Sequence, residues 1–155
     1  MLKKPAENSP ETNRAWAVGQ PALSAEARAA LDNQLRHAAM TGDEAAIERL
    51  AAEGASPDAK ARYGVTAVWK AAQNGHAGAV SALVRLGADL DARGSTGRTA
   101  LIGAAFNGQV ECARALLAAG ADRTLRGTCG DAGAKTALEI AEAEGNAEVA
   151  ALLRD

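Results

Sequence analysis

Side chains capable of chemistry are few in this chain of 155 residues, and they are poorly grouped. His37 and His76 are its only histidines, and Cys112 and Cys129 its only cysteines. A metal centre needs several such ligands converging on one point, and no Cys-x-x-Cys pair or His-rich cluster supplies them. Cys112 falls between Val110 and Ala113 at an apolar helical position, which predicts a small core residue and not a reactive thiol. Cys129 lies in a loop and is expected to be exposed, with no second thiol placed to resolve an oxidised form. The run Gly127-Thr-Cys-Gly130-Asp-Ala-Gly133-Ala-Lys135-Thr136 has the glycines and lysine of a phosphate cradle. A true phosphate loop needs Gly-Lys-Ser/Thr in succession after a strand, and here Ala134 separates Gly133 from Lys135. A longer, flexible finger is predicted instead. Asp89, Asp91, Asp122 and Asp131 occur in turn-like stretches, where short carboxylates hydrogen-bond to the backbone. Ser24, Ser81 and Ser95 have no identifiable histidine and acid partners. No catalytic residue, metal or cofactor is assigned, and the sequence predicts a protein that is not an enzyme.

Composition then limits the elements that carry these side chains. Apolar residues make up 48% of the chain but aromatic ones only 3%, namely Trp16, Tyr63, Trp69 and Phe106. A core of alanine and branched aliphatics suits closely packed helices better than a β-sandwich. No apolar run approaches the ~20 residues of a membrane helix, and Met1 to Asn13 lacks the apolar centre of a secretory signal. The expectation is a cytoplasmic, soluble chain with reduced thiols and no membrane partner. The net charge of −2 divides unevenly. Residues 1–59 sum to −3, residues 60–135 to +5, and residues 136–155 to −4. A cationic middle predicts an electropositive surface if the fold gathers those charges.

The fold follows from a period. Gly42, Gly75 and Gly108 stand 33 residues apart, as do Gly54, Gly87 and Gly120, and Leu50, Leu83 and Leu116. Ile47, Val80 and Ala113 keep the same step, as do Thr66 and Thr99. The next step is 37, from Thr99 to Thr136 and from Leu116 to Leu153, so four residues are inserted between Gly120 and Thr136. Each unit predicts a first helix capped by threonine, a glycine that ends it, and a second helix with one apolar face, as at Val80, Leu83 and Val84. Paired alanines (Ala38/Ala39, Ala71/Ala72, Ala104/Ala105) predict helices in close approach. A single helix pair leaves one face unburied, and stacking on its neighbours completes the core.

These landmarks resemble the ankyrin repeat. The pattern appears in Gly64-Val-Thr66 with Ala71-Ala72, Gly75-His76 and Gly87-Ala88-Asp89, and again in Gly97-Arg-Thr99-Ala-Leu101 with Ala104-Ala105, Gly108 and Gly120-Ala121-Asp122. The family's Thr-Pro is Thr-Ala here, and its histidine is replaced by Trp69, Ile102 and Glu139. The resemblance implies an all-α solenoid of four stacked helix-turn-helix units joined by β-hairpin-like loops. Residues 1–23 are expected to be an extended or disordered arm, with Trp16 folded back on the first unit or docked on a partner. The repeat domain is expected over 24–155, divided as 24–60, 61–93, 94–130 and 131–155. Its outer units act as caps, Ser24 starting the first helix and Glu139, Glu142, Glu144 and Glu148 solvating the last unit.

In such an array, loop tips and first helices line an extended concave face, and the resemblance implies that partners bind there. The residues placed on it are Arg62, Tyr63, Val65, Trp69, Gln73 and Asn74, then Arg93, Arg98, Ile102, Phe106 and Asn107, then Arg126 and Lys135. Aromatic residues and arginines dominate interface hot spots, although Trp69 and Phe106 would also serve to seal adjacent first helices. The expected function is non-catalytic binding of a protein with an acidic patch, as adaptor, inhibitor or immunity-type neutraliser, by a chain that is monomeric on its own. The alternative is binding of a polyanion, nucleic acid or a phosphorylated ligand, by the basic loop edge. An overall pI near 5.7 disfavours nucleic acid.

Overall fold

A computed structural model describes residues 23–129 and 133–155. The expectations for the arm, Trp16 and Asp131 lie outside the described residues. Threonine hydroxyls start the first helices as the repeat predicts: Thr66 accepts from the Trp69 amide at 3.3 Å, Thr99 from Ile102 at 3.3 Å and Thr136 from Glu139 at 3.2 Å. Ser24 does the same for the leading helix, accepting from Ala27. The helices are α1 (Ala25–Thr41), α2 (Glu44–Ala52), α3 (Ala67–Gln73), α4 (Ala77–Arg85), α5 (Ala100–Asn107), α6 (Val110–Ala118), α7 (Ala137–Ala143) and α8 (Ala147–Arg154). Consecutive helices pair, and the pairs stack in two layers. The first helices α1, α3, α5 and α7 contact one another in that order, and the second helices α2, α4, α6 and α8 do likewise.

Alanine permits this close stacking. Ala39, Ala72 and Ala105, one per unit, are each 0% exposed. The fourth unit puts Glu142 at the same step, exposed and paired with Arg154 at 2.6 Å. At the opposite end Gln34 is exposed where Ala67, Ala100 and Ala137 are buried in the following units. Both end faces therefore carry polar groups at the positions that other units use for packing, which disfavours further stacking.

Polar contacts between units also repeat. The Asp58 carboxylate accepts from the Asp89 amide at 2.7 Å, and Asp91 accepts from Asp122 at 2.8 Å. Asp32 likewise accepts from Ser56 at 2.7 Å. Asp58 and Asp91 thus tie one loop to the next, and Asp32 ties α1 to the loop after α2. Gln109 donates to the Gln73 carbonyl, and Asn146 to the Ala105 carbonyl, covering open helix ends in the preceding unit. His76 holds the matching position over Gly42, where an added Cβ would stand 2.6 Å from the imidazole Nδ1. Its role is structural.

The loops are hairpin-like and join edge to edge. Ala61 donates to the Val65 carbonyl within one loop and Gly94 to Arg98 within the next. Between loops, Ser95 donates to the Tyr63 carbonyl at 2.9 Å, and Thr128 to Thr96 at 3.0 Å. The insertion builds a ladder of β1 (Arg126–Thr128) with β2 (Ala134–Thr136), antiparallel, so the base of the expected flexible finger is ordered sheet. Gly127 is buried there, and a Cβ on it would lie 2.8–2.9 Å from the Gly97 carbonyl oxygen and the Arg98 backbone. Gly127→Ala is expected to push this hairpin off its neighbour and lower stability by about 1–3 kcal/mol. Urea unfolding measures it, and an unchanged midpoint would contradict the loop packing.

Cys112 is core, 1% exposed, and burial pushes its thiol up to about 11. Cys129 corrects the expectation of exposure, since it is half-buried against the core and its thiol is also raised, chiefly by burial. Alkylation proceeds through the thiolate. At pH 8 iodoacetamide is therefore expected to modify Cys129 slowly and Cys112 only on unfolding, as mass spectrometry with and without urea would show. Rapid native-state labelling of Cys112 would contradict its placement.

Candidate functional site

The loop before α3 contains the one non-glycine residue with positive φ among the described residues, Tyr63, at 63°. The left-handed region costs an L-residue roughly 1–2 kcal/mol. The hydrogen bond between loops does not require this conformation, because Thr96, one step along, accepts the matching bond without positive φ. The ring gains no shelter either, since Tyr63 is 69% exposed. The strain therefore displays a large side chain to solvent without any gain in packing.

Two adjacent hollows flank this ring and share Tyr63 and Val65. The first, of about 420 Å³, lies between the loop before α3 and the loop before α5, with Trp69 and Thr66 from α3 and its cap on one side and Ser95, Thr96 and Arg98 on the other. The second, of about 390 Å³, opens toward the first unit and is lined by Arg36, His37, Met40, Arg62 and Lys70 among others. No aspartate or glutamate lines either one. The Trp69 indole rests over Gly103 of α5, with its Nε1 3.5 Å from where a Cβ would be, and Lys70 lies 6.0 Å from its ring centre.

Of the predicted face, the structure brings Tyr63, Val65, Trp69 and Arg98 together around the first hollow, with Arg62 at the second. Ile102 is corrected. It keeps the 33-residue step from Trp69 but is only 1% exposed, because α5 is flanked by both α3 and α7 and a short aliphatic side chain sinks between them. Phe106 is partly buried against the core, with the Arg98 guanidinium 5.7 Å above its ring. Gln73, Asn74 and Asn107 sit at the far ends of their helices, where Asn74 donates to the Lys70 carbonyl and Asn107 to Gly103. Sequence reasoning missed Arg36 and Lys70. Arg36 stands one repeat step before Trp69, and Lys70 follows Trp69 directly, so the period itself was the available signal.

The cations on the loop edge do more than display charge. Arg93 donates through Nη2 to the Arg126 carbonyl, and Lys60, one step earlier, donates to the Arg93 carbonyl at 3.4 Å. Arg98 donates to the Thr128 carbonyl at 2.7 Å. Arg126 donates to the Ala134 carbonyl and pairs with Glu139 at 3.2 Å, while Lys135 is half-buried in β2. A neutral carbonyl leaves the guanidinium charge in place, so Arg93 and Arg98 remain electropositive while fixing the loops. Glu139 is held below the usual carboxylate range, first by the Thr136 amide and then by nearby cations. Asp122 is lowered by its bonds from Thr124.

Among the described residues no three His, Cys, Asp or Glu side chains gather to hold a metal ion, and no helix is long and apolar enough to cross a membrane. Stacked helix pairs, with their loops joined along one edge, define an all-α repeat solenoid. The ankyrin repeat profile matches residues 35–127 in three copies, and the chain belongs to the ankyrin repeat family. Ankyrin repeats are in general non-catalytic modules for protein–protein interaction. No curated protein is similar enough in sequence to match this chain.

Proposed function

We propose that this chain binds an acidic partner protein through the groove centred on Tyr63 and Trp69, and acts by occupying the partner's surface as an adaptor, inhibitor or neutraliser. The observation that carries the reading is Tyr63, held exposed in a strained backbone between two hollows that no carboxylate lines. Aromatic side chains beside arginines are the usual centre of an interface, and here Tyr63 is exposed while Trp69 is half-buried. Cations around them raise the rate of association with an acidic surface.

Trp69→Ala is expected to weaken capture of the partner by about tenfold or more while the helical circular dichroism persists. Arg114→Glu, on the exposed side of α6, serves as the control and is expected to leave capture intact. Arg98→Glu is a poorer test, because it also breaks the bond to Thr128 and the contact with Phe106. Equal capture by wild type and Trp69→Ala would remove the groove from the mechanism.

A further inference from the structure

We infer that the two hollows flanking Tyr63 form a two-part anchor for a short linear segment of the partner. One bulky apolar side chain seats between Tyr63, Trp69 and Thr96, and a neighbouring carboxylate meets Arg36, Arg62 and Lys70. This rests on the groove reading above and deepens it by naming what the groove takes.

The two halves differ in chemistry. The first hollow has Val65, Ala92, the Trp69 indole and the Tyr63 ring, with Arg98 as its one charged residue. At about 420 Å³ it has room for a large aliphatic or aromatic side chain, but it is small beside the surface of a folded domain. The second hollow gathers Arg36, Arg62, Lys70 and His37 around Met40 and Ala61. Arg36 is already oriented, donating to the Ala59 carbonyl at 3.1 Å and to Asn33. Because the hollows share Tyr63 and Val65, a ligand must present its apolar and acidic groups about one ring-width apart. Side chains two apart on an extended strand meet that at ~7 Å, and so do residues three or four apart on a helix. A lone apolar ligand leaves the cationic hollow unanswered. A simple polyanion leaves the strained Tyr63 and the Trp69 indole without a role.

Phage display of short random peptides on the full chain tests this, with counter-selection on the Tyr63→Gly chain after its fold is verified by circular dichroism. Enriched peptides are expected to share a bulky apolar residue with an aspartate or glutamate about two to four positions away. Fluorescence polarisation on a selected peptide should then show a loss of about thirtyfold or more on replacing the apolar residue by alanine. Replacing the acid by its amide should cost about fivefold at low salt and less at high salt. Peptides enriched for acid alone would point to polyanion binding and overturn the inference. Apolar peptides without an acid, or no enrichment over Tyr63→Gly, would overturn it as well. If the peptides fail while the native partner is still lost on Tyr63→Gly, the groove reading stands and recognition is of a folded surface. If neither responds to Tyr63, the groove reading falls too.

Discussion

Replacing Leu116 with alanine is expected to lower the free energy of unfolding by about 2–5 kcal/mol. Leu116 is 0% exposed on α6, a second helix held between α4 and α8 and backed by α5. Removing its side-chain carbons forfeits their transfer from water and leaves a cavity that helices fixed on three sides cannot close. Leu153 holds the matching position in α8, at 4% exposure, but among the described residues no helix pair is stacked beyond it. Leu153→Ala is therefore expected to cost less, since a helix packed on fewer sides can relax into the space. Urea unfolding followed by circular dichroism supplies both values. A loss below about 1 kcal/mol at Leu116 would mean that neighbouring pairs do not close over one another as described.

Tyr63→Gly is expected to separate binding from stability. Glycine adopts positive φ at no steric cost, so the strain at 63° is relieved and stability should hold or rise by a fraction of the roughly 1–2 kcal/mol that the left-handed conformation costs. The rise is partial because glycine also gains freedom in the unfolded chain. Binding should fall by about thirtyfold or more, the loss typical of an aromatic hot spot of 2 kcal/mol or above. Opposite signs in the two measurements identify a residue kept for recognition. A clear drop in stability with unchanged capture would instead make Tyr63 a packing residue.

The repeat frame was legible because its cues are local. Thr66, Thr99 and Thr136 each cap a helix by their own hydroxyl, and the alanine pairs mark where helices touch. Glu142 could be read in the same way, as an acidic residue where a stacking alanine recurs. The site was only partly visible. Step-counting put Ile102 beside Trp69, but both helices are flanked on either side, and the short aliphatic side chain sinks between its neighbours where the larger indole stays half-buried. Arg98 and Arg126 were placed on the binding face by their period, but their hydrogen bonds could not be read, because the carbonyl partners Thr128 and Ala134 belong to a hairpin built from the insertion. The φ of Tyr63 had no signal at all, for Tyr63-Gly64 and Thr96-Gly97 look equivalent in sequence and only the first residue takes the left-handed form.

Photo-crosslinking tests the groove most directly. A benzophenone amino acid placed at position 63 keeps an aromatic ring there, and the same group at position 114 reports on the outer helices. After irradiation in the native host extract, a single covalent adduct with one acidic protein is expected from position 63 and none from position 114. An adduct formed from position 114 alone, or equally from both, would contradict binding through the loop-side groove.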